Sequence, residues 1–146
     1  MKAIVVYDSW VGRTEILARK IAEGLGSEAF MAGTFDYEAL LHYDLVVLGS
    51  PTHFFYPTRR IVDILERVPF KYAAFFTTYS TLGGARTLRV MRLMSRANRI
   101  VGVFCKHADI EGQISAFEFG VKLKRTLKEL LKDDFSEEKE IKILDS

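Results

Sequence analysis

At 146 residues, with 49% hydrophobic and 27% charged residues, the chain has the size and make-up of one globular domain that buries a core without metal or disulfide staples. The formal net charge of +2 says little about partners by itself, and the single cysteine, Cys105, excludes an internal disulfide and a cysteine-built zinc site. The opening MKAIVVYDSW carries too short an apolar run for a signal-peptide core or a membrane span, and no later segment is longer, so the expected location is the cytoplasm.

Lys2–Tyr7 is a compact, β-branched apolar run and predicts a buried strand. From Thr14, apolar residues return at Leu17, Ile21 and Leu25, one stripe of a helix, and Gly26 stands where such a helix ends. Glu28–Ala32 is a weaker strand and Tyr37–Leu41 a short helical turn; Asp44–Leu48 is a second buried strand that ends at Gly49. Ile61, Ile64, Leu65 and Val68 follow the i, i+3, i+4, i+7 pattern of a helix that Pro69 stops. Tyr72–Thr78 reads as strand, Ala85–Ala97 as helix and Ile100–Cys105 as strand, and Leu123, Leu127, Leu130 and Leu131 stripe the last helix. No repeat or linker divides the chain, so residues 1–146 form one domain, with 133–146 expected as a loosely attached acidic tail.

Strands alternating with helices imply an α/β domain with a parallel sheet covered on both faces. Five strands fit the doubly wound order 2-1-3-4-5, in which ligands sit at the carboxyl ends of the strands where the order reverses. That rule nominates the loops Asp8–Arg13, Ser50–Tyr56 and Tyr79–Gly84. In the first, DSWVGRT leads into a helix whose opening N–H groups and partial positive charge suit a phosphate. Ser9 and Thr14 offer hydroxyls there, and Gly12 permits close approach of the backbone. Neither a Gly-Lys-Ser/Thr nor a G-x-G-x-x-G run is present, which disfavours a triphosphate or a dinucleotide and favours a monophosphate ester. The plainer alternative is that Ser9 caps a helix and Gly12 makes a turn.

The segment VYDSWVGRTEILARKIAEGL resembles the opening of flavodoxins, with a Ser/Thr-x-Thr-Gly-x-Thr phosphate loop, and more closely the flavodoxin domains of flavo-diiron proteins. Ser9, Gly12 and Thr14 match that pattern; Val11 lacks the middle hydroxyl, and Arg13 replaces a small polar residue. YDLVVLGSPTHFFYPTRRIVDIL is similar to the second flavodoxin loop, and TTYSTLGGARTL to the Gly-Gly loop of flavodoxin-like quinone reductases. The resemblance implies FMN as cofactor. Its expected contacts are Ser9, Trp10, Val11, Gly12, Arg13 and Thr14 in the first loop, and Pro51, Thr52, His53, Phe54 and Phe55 in the second. Thr78, Tyr79, Ser80, Gly83 and Gly84 complete the set, with Tyr79 as a stacking partner of the flavin. Of the consecutive rings His53, Phe54, Phe55 and Tyr56, some are expected to pack inward, with Phe54 and His53 favoured to face the flavin.

The resemblance implies an electron carrier, with an NAD(P)H-dependent quinone reductase and an FMN-free interaction module as alternatives; in a reductase His53 and Tyr79 become candidate proton donors. Because no Gly or Asn lies between Pro51 and Pro57, the second loop is expected to lack a positive-φ residue, and with it the peptide flip that stabilises one-electron-reduced flavin in flavodoxins. Arg86, Arg89, Arg92, Arg96 and Arg99 fall at helical spacing: either a solvated face or a docking stripe for an acidic redox partner. No aromatic residues interleave them, so nucleic acid is a poor fit, and the isolated His42 and His107 suggest no metal. Phosphorylatable receivers share this strand order but need an aspartate at the end of strand 3, where Gly49 and Ser50 stand.

Overall fold

The computed structural model describes residues 2–34, 36–78 and 83–145, with side chains through Asp134. Strands β1 (Ala3–Tyr7), β2 (Ala29–Met31), β3 (Leu45–Pro51), β4 (Tyr72–Thr78) and β5 (Arg99–Lys106) pair in parallel in the order β2-β1-β3-β4-β5. This is the doubly wound sheet that the alternation of periods predicts. Helices α1 (Arg13–Leu25), α2 (Arg59–Arg67), α3 (Gly84–Met94) and α4 (Ile110–Asp145) cover it, and Asp36 caps a 3-10 turn at Tyr37–His42.

The strand pleat divides the core in two. Val6, Leu48 and Phe75 point to one face, against Ile61, Ile64 and Leu65 of α2 and Leu88 and Met91 of α3. Val5, Val47 and Phe76 point to the other, against Leu17 and Ile21 of α1 and Leu123 and Leu127 of α4. The central strands are buried on both sides, which is why they read as unbroken apolar runs. Helices α1 and α4 touch backbone to backbone: a Cβ on Gly24 would strike the Phe117 carbonyl, and one on Gly120 the Ile21 carbonyl.

Several element ends differ from expectation, those of β3 and α3 most. Strand β3 does not end at Gly49 but continues through Ser50 to Pro51, because Gly49, Ser50 and Pro51 keep register with Phe76, Thr77 and Thr78 of β4, and the Phe76 ring covers the bare Gly49. Helix α3 ends at Met94 rather than Ala97: Ser95 turns to an extended conformation and its Oγ accepts the Ala97 N–H at 3.0 Å, a local bond that competes with the helix. Helix α4 begins at Ile110, well before its leucine stripe, because its first half holds α1 through Gly120 and Ala116 rather than through large apolar residues. Its backbone stays helical to Asp145, and Asp134 accepts a hydrogen bond from the Tyr72 hydroxyl at 2.7 Å and pairs with Lys71 at 3.0 Å. No helix among the described residues is long and apolar enough to cross a membrane.

Candidate functional site at the carboxyl ends of the strands

Because β1, β3 and β4 are neighbours, the turns that follow them emerge side by side. After β1, the chain is held by a relay of short bonds. The Asp8 N–H donates to the Gly49 carbonyl at 3.0 Å, Asp8 Oδ1 accepts the Ser9 N–H at 3.0 Å, and Ser9 Oγ accepts the Gly12 N–H at 3.0 Å. Gly12 sits at φ 86°, in the left-handed region that favours glycine, and begins α1 with its carbonyl accepting from Ile16. No side chain among the described residues caps α1, which leaves the N–H groups of its first turn uncapped. A Cβ on Gly12 would meet nothing within 4 Å: the space over this helix end is open. Val11 is 77% exposed and Arg13 is also exposed, so neither blocks it. Ser9 is therefore a turn-former as well as a hydroxyl at the site.

The helix end is fixed from below. The Tyr7 hydroxyl donates to Glu15 Oε1 at 3.0 Å, and Arg19 pairs with the same oxygen at 2.8 Å. The Arg19 guanidinium and then the Tyr7 hydroxyl hold the Glu15 carboxyl below its ordinary range, while burial first, and then Glu15, push the Tyr7 phenol up. Beneath the loops, hydroxyls tie the strand ends together. Thr14 and Thr78 share a hydrogen bond at 2.9 Å, and so do Thr52 and Thr77. Thr77 also donates to the Ser50 carbonyl at 2.6 Å, and Ser50 Oγ accepts the Thr58 N–H at 2.9 Å. Of these, Ser50, Thr58 and Thr77 were not among the expected site residues. For Ser50 and Thr77 the signal in the sequence is a hydroxyl at a buried strand end, and for Thr58 a hydroxyl just before the first turn of a helix. Pro51 and Gly84 belong to β3 and to the first position of α3, where they serve the framework.

The second loop is a tight hairpin. His53 and Tyr56 exchange both backbone hydrogen bonds at 3.0 Å, with Phe54 at φ 49° and Phe55 at φ 65° between them. Two successive positive-φ residues make a mirror-image turn of the kind that Asn-Gly usually supplies. The expectation that this loop has no positive-φ position is therefore wrong: two phenylalanines occupy that region, held there by the paired bonds on either side. The expectation that some of the rings pack inward also fails, since all of His53, Phe54, Phe55 and Tyr56 stay exposed, Phe54 at 84%. A two-residue turn at the end of a sheet leaves their side chains no core to enter. They pack on neighbouring loops instead. His53 meets Trp10 edge to face at 4.8 Å between centroids and Phe54 at 4.4 Å. Phe55 lies against Gly83, with the Arg86 guanidinium 5.9 Å above its ring.

The third loop contributes Gly83, at φ 116°, which opens α3 without a side-chain cap, and Thr87, whose hydroxyl donates back to the Gly83 carbonyl at 3.2 Å. Tyr79 and Ser80 lie outside the described residues. Arg86, Arg89 and Arg92 project from α3 into solvent, whereas Arg96 and Arg99 fall beyond its end, Arg96 reaching the Glu66 carbonyl at 3.4 Å. Cys105 is half-buried against the α2–α3 side of the core, and burial pushes its thiol up to about 11.

No family model matches the chain, and none of the curated proteins matches it. Solved structures do. A flavodoxin, WrbA-like protein from Agrobacterium tumefaciens superimposes with a TM-score of 0.72 at 19% identity, over 87% of this chain and 97% of that one. The fold is that of the flavodoxins. Oxidised flavodoxin 2 from Bacillus cereus matches at a TM-score of 0.64 and 25% identity, over 83% of this chain and 96% of that one. A flavoprotein in complex with FMN from Lactobacillus acidophilus matches at 0.57 and 21% identity, over 71% and 92%. Both partners are covered over most of their length, so the flavodoxin fold is present whole.

Proposed function

We propose that this chain binds FMN where the three turns converge and works as a flavodoxin-type electron carrier. The observation that carries the reading is the open, uncapped first turn of α1, led by left-handed Gly12 and standing beside the exposed rings of Trp10, His53 and Phe54. The first-turn N–H groups and Arg13 suit the terminal phosphate. The rings offer flat apolar surface for offset stacking on a flavin. The missing hydroxyl at Val11 weakens phosphate binding by about 1.5–3 kcal/mol, the worth of one hydrogen bond to a charged group. FMN, when bound, supplies one- or two-electron transfer. The fold shared with flavodoxins, and with a flavoprotein described in complex with FMN, supports this assignment.

Arg86, Arg89 and Arg92 on α3 suit an acidic protein partner that takes or delivers electrons at the aromatic turn. Such a partner associates more slowly as ionic strength rises. The deciding experiment is a titration of the purified protein with FMN, followed by addition of NADH or NADPH. Quenched flavin fluorescence, and no bleaching until a reductase is added, are expected. Bleaching by pyridine nucleotide alone reassigns the chain as a reductase, and unchanged FMN fluorescence overturns the flavin reading.

A further inference from the structure

On the far side of the first loop from α3, between the ends of β1 and β2 and the start of α2, lies a cleft of about 380 Å³. Ser9, Trp10, Met31, Thr58, Arg59 and Arg60 line it. Thr58 is the N-cap of α2 and is only 6% exposed, yet its Oγ1 is buried with no hydrogen-bond partner. A threonine in that position normally turns its oxygen onto a first-turn N–H. Here it does not, so the first-turn N–H groups of α2, the buried hydroxyl and the positive end of the helix are all left to whatever enters the cleft.

The charged groups point to an anion. Arg59 and Arg60 are exposed at the first two positions of α2, and the Arg60 guanidinium reaches the end of β2, with Nη1 3.4 Å from the Ala32 carbonyl. Each offers a planar fork of donors that matches the oxygens of a phosphate. The one carboxylate in the wall, Asp8, already accepts the Ser9 N–H through Oδ1. Against its single charge stand two guanidinium groups and a helix N-terminus. The volume exceeds that of a bare phosphate and leaves room beside the half-exposed Trp10 indole for the nucleoside that carries it.

We infer that this cleft is a phosphate-binding site separate from the α1 end, and that it takes the phosphate monoester of a nucleotide. Thr58 Oγ1 and the α2 N–H groups hold the phosphate, Arg59 and Arg60 neutralise it, and Trp10 flanks the nucleoside. The cleft shares Ser9 and Trp10 with the proposed flavin site, but the inference does not require that FMN bind.

The test follows backbone amide shifts during titration with inorganic phosphate, 2′-AMP, 5′-AMP and adenosine, in FMN-free and FMN-saturated protein. Phosphate and the nucleotides are expected to move the Arg59, Arg60 and Ile61 amides in both forms, and adenosine is expected to move none. Tighter binding of 2′-AMP than of 5′-AMP identifies a pyridine-nucleotide 2′-phosphate as the source, and the reverse order a mononucleotide. Thr58→Val is expected to weaken binding about tenfold. If that variant does not fold, the exposed pair Arg59→Ala/Arg60→Ala carries the same expectation and lowers the salt dependence as well. Shifts confined to the first turn of α1, or wild-type binding by the arginine variant, overturn the inference. So does loss of the α2 shifts on FMN saturation together with weaker FMN binding by that variant, because the site is then the flavin's own. Should FMN fail to bind at all, the functional reading falls while the FMN-free titration still decides this one.

Discussion

Replacing Phe54 by asparagine should make the FMN-free protein more stable and the FMN complex weaker, two effects of opposite sign from one residue. Phe54 is held at φ 49° in a turn whose geometry favours Asn-Gly, and an L-residue in that region costs about 1–2 kcal/mol. Its ring is 84% exposed, so truncation forfeits only about 0.5 kcal/mol of burial. The edge-to-face contact with His53 at 4.4 Å adds about 0.5 kcal/mol to that loss. The balance is a gain of about 0.5 kcal/mol, a rise in Tm of roughly 1–2 °C for a domain of this size. The same change removes an aromatic partner from the flavin, and at about 0.5–1.5 kcal/mol per ring pair the FMN Kd should rise some two- to tenfold. Thermal melting by circular dichroism and FMN fluorescence titration read the two quantities independently. Phe55→Asn is the control: its ring covers Gly83 and lies under Arg86, and lost packing of about 1–1.5 kcal/mol cancels the relief of its φ 65°. A fall in Tm of 2 °C or more for Phe54→Asn, or an unchanged FMN Kd, refutes the reasoning.

Gly12→Ala meets no atom within 4 Å, so its cost is conformational, about 1 kcal/mol by urea denaturation, whereas its methyl stands over the open end of α1 and should weaken FMN at least about tenfold. Thr14→Val strands the buried Thr78 hydroxyl and should cost about 1–2 kcal/mol, and adding Thr78→Val should cost much less than the sum of the two single changes; additive losses in the same denaturation assay reject the pairing. The Glu15 carboxyl is held below its ordinary range, so its contribution to stability is present above that range and is lost as pH falls through the lowered value. Tyr7→Phe removes one of the groups that lowers it, and its Tm deficit at pH 7 should shrink below about pH 4.5, a convergence that melting curves at pH 3 to 7 can test.

The architecture was legible in the sequence because each central strand is buried on both faces and each flanking helix has one apolar stripe. Five strands in that alternation fit the doubly wound order, and the positions of the three turns follow from the order. Places where packing overrides pattern were not legible. The first half of α4 meets α1 through Gly24 and Gly120, and a helix that buries glycines leaves no apolar stripe to read. The end of β3 is polar in sequence, Gly-Ser-Pro, but its backbone keeps register with β4, and the Ser50 carbonyl accepts the Thr77 hydroxyl, so it is not released into a loop. The aromatic turn was visible as a run of four rings; its backbone was not, because positive φ at two phenylalanines is imposed by the His53–Tyr56 pairing and not announced by Gly or Asn.

The near-neutral net charge hides a concentration of positive charge at the helix starts. Helices α1, α2 and α3 each begin at the carboxyl end of the sheet without a side-chain cap, so three partial positive charges gather there. Arg13, Arg59, Arg60 and Arg86 add full charges at the same helix starts, each within the first turn. At the other end of the strands, Asp134 bonds to Tyr72, the first residue of β4, and pairs with Lys71. Uncapped helix starts and arginines at one set of turns would favour phosphate-bearing ligands and an acidic partner there. Capping α1, α2 and α3 with aspartate would weaken that field at its source.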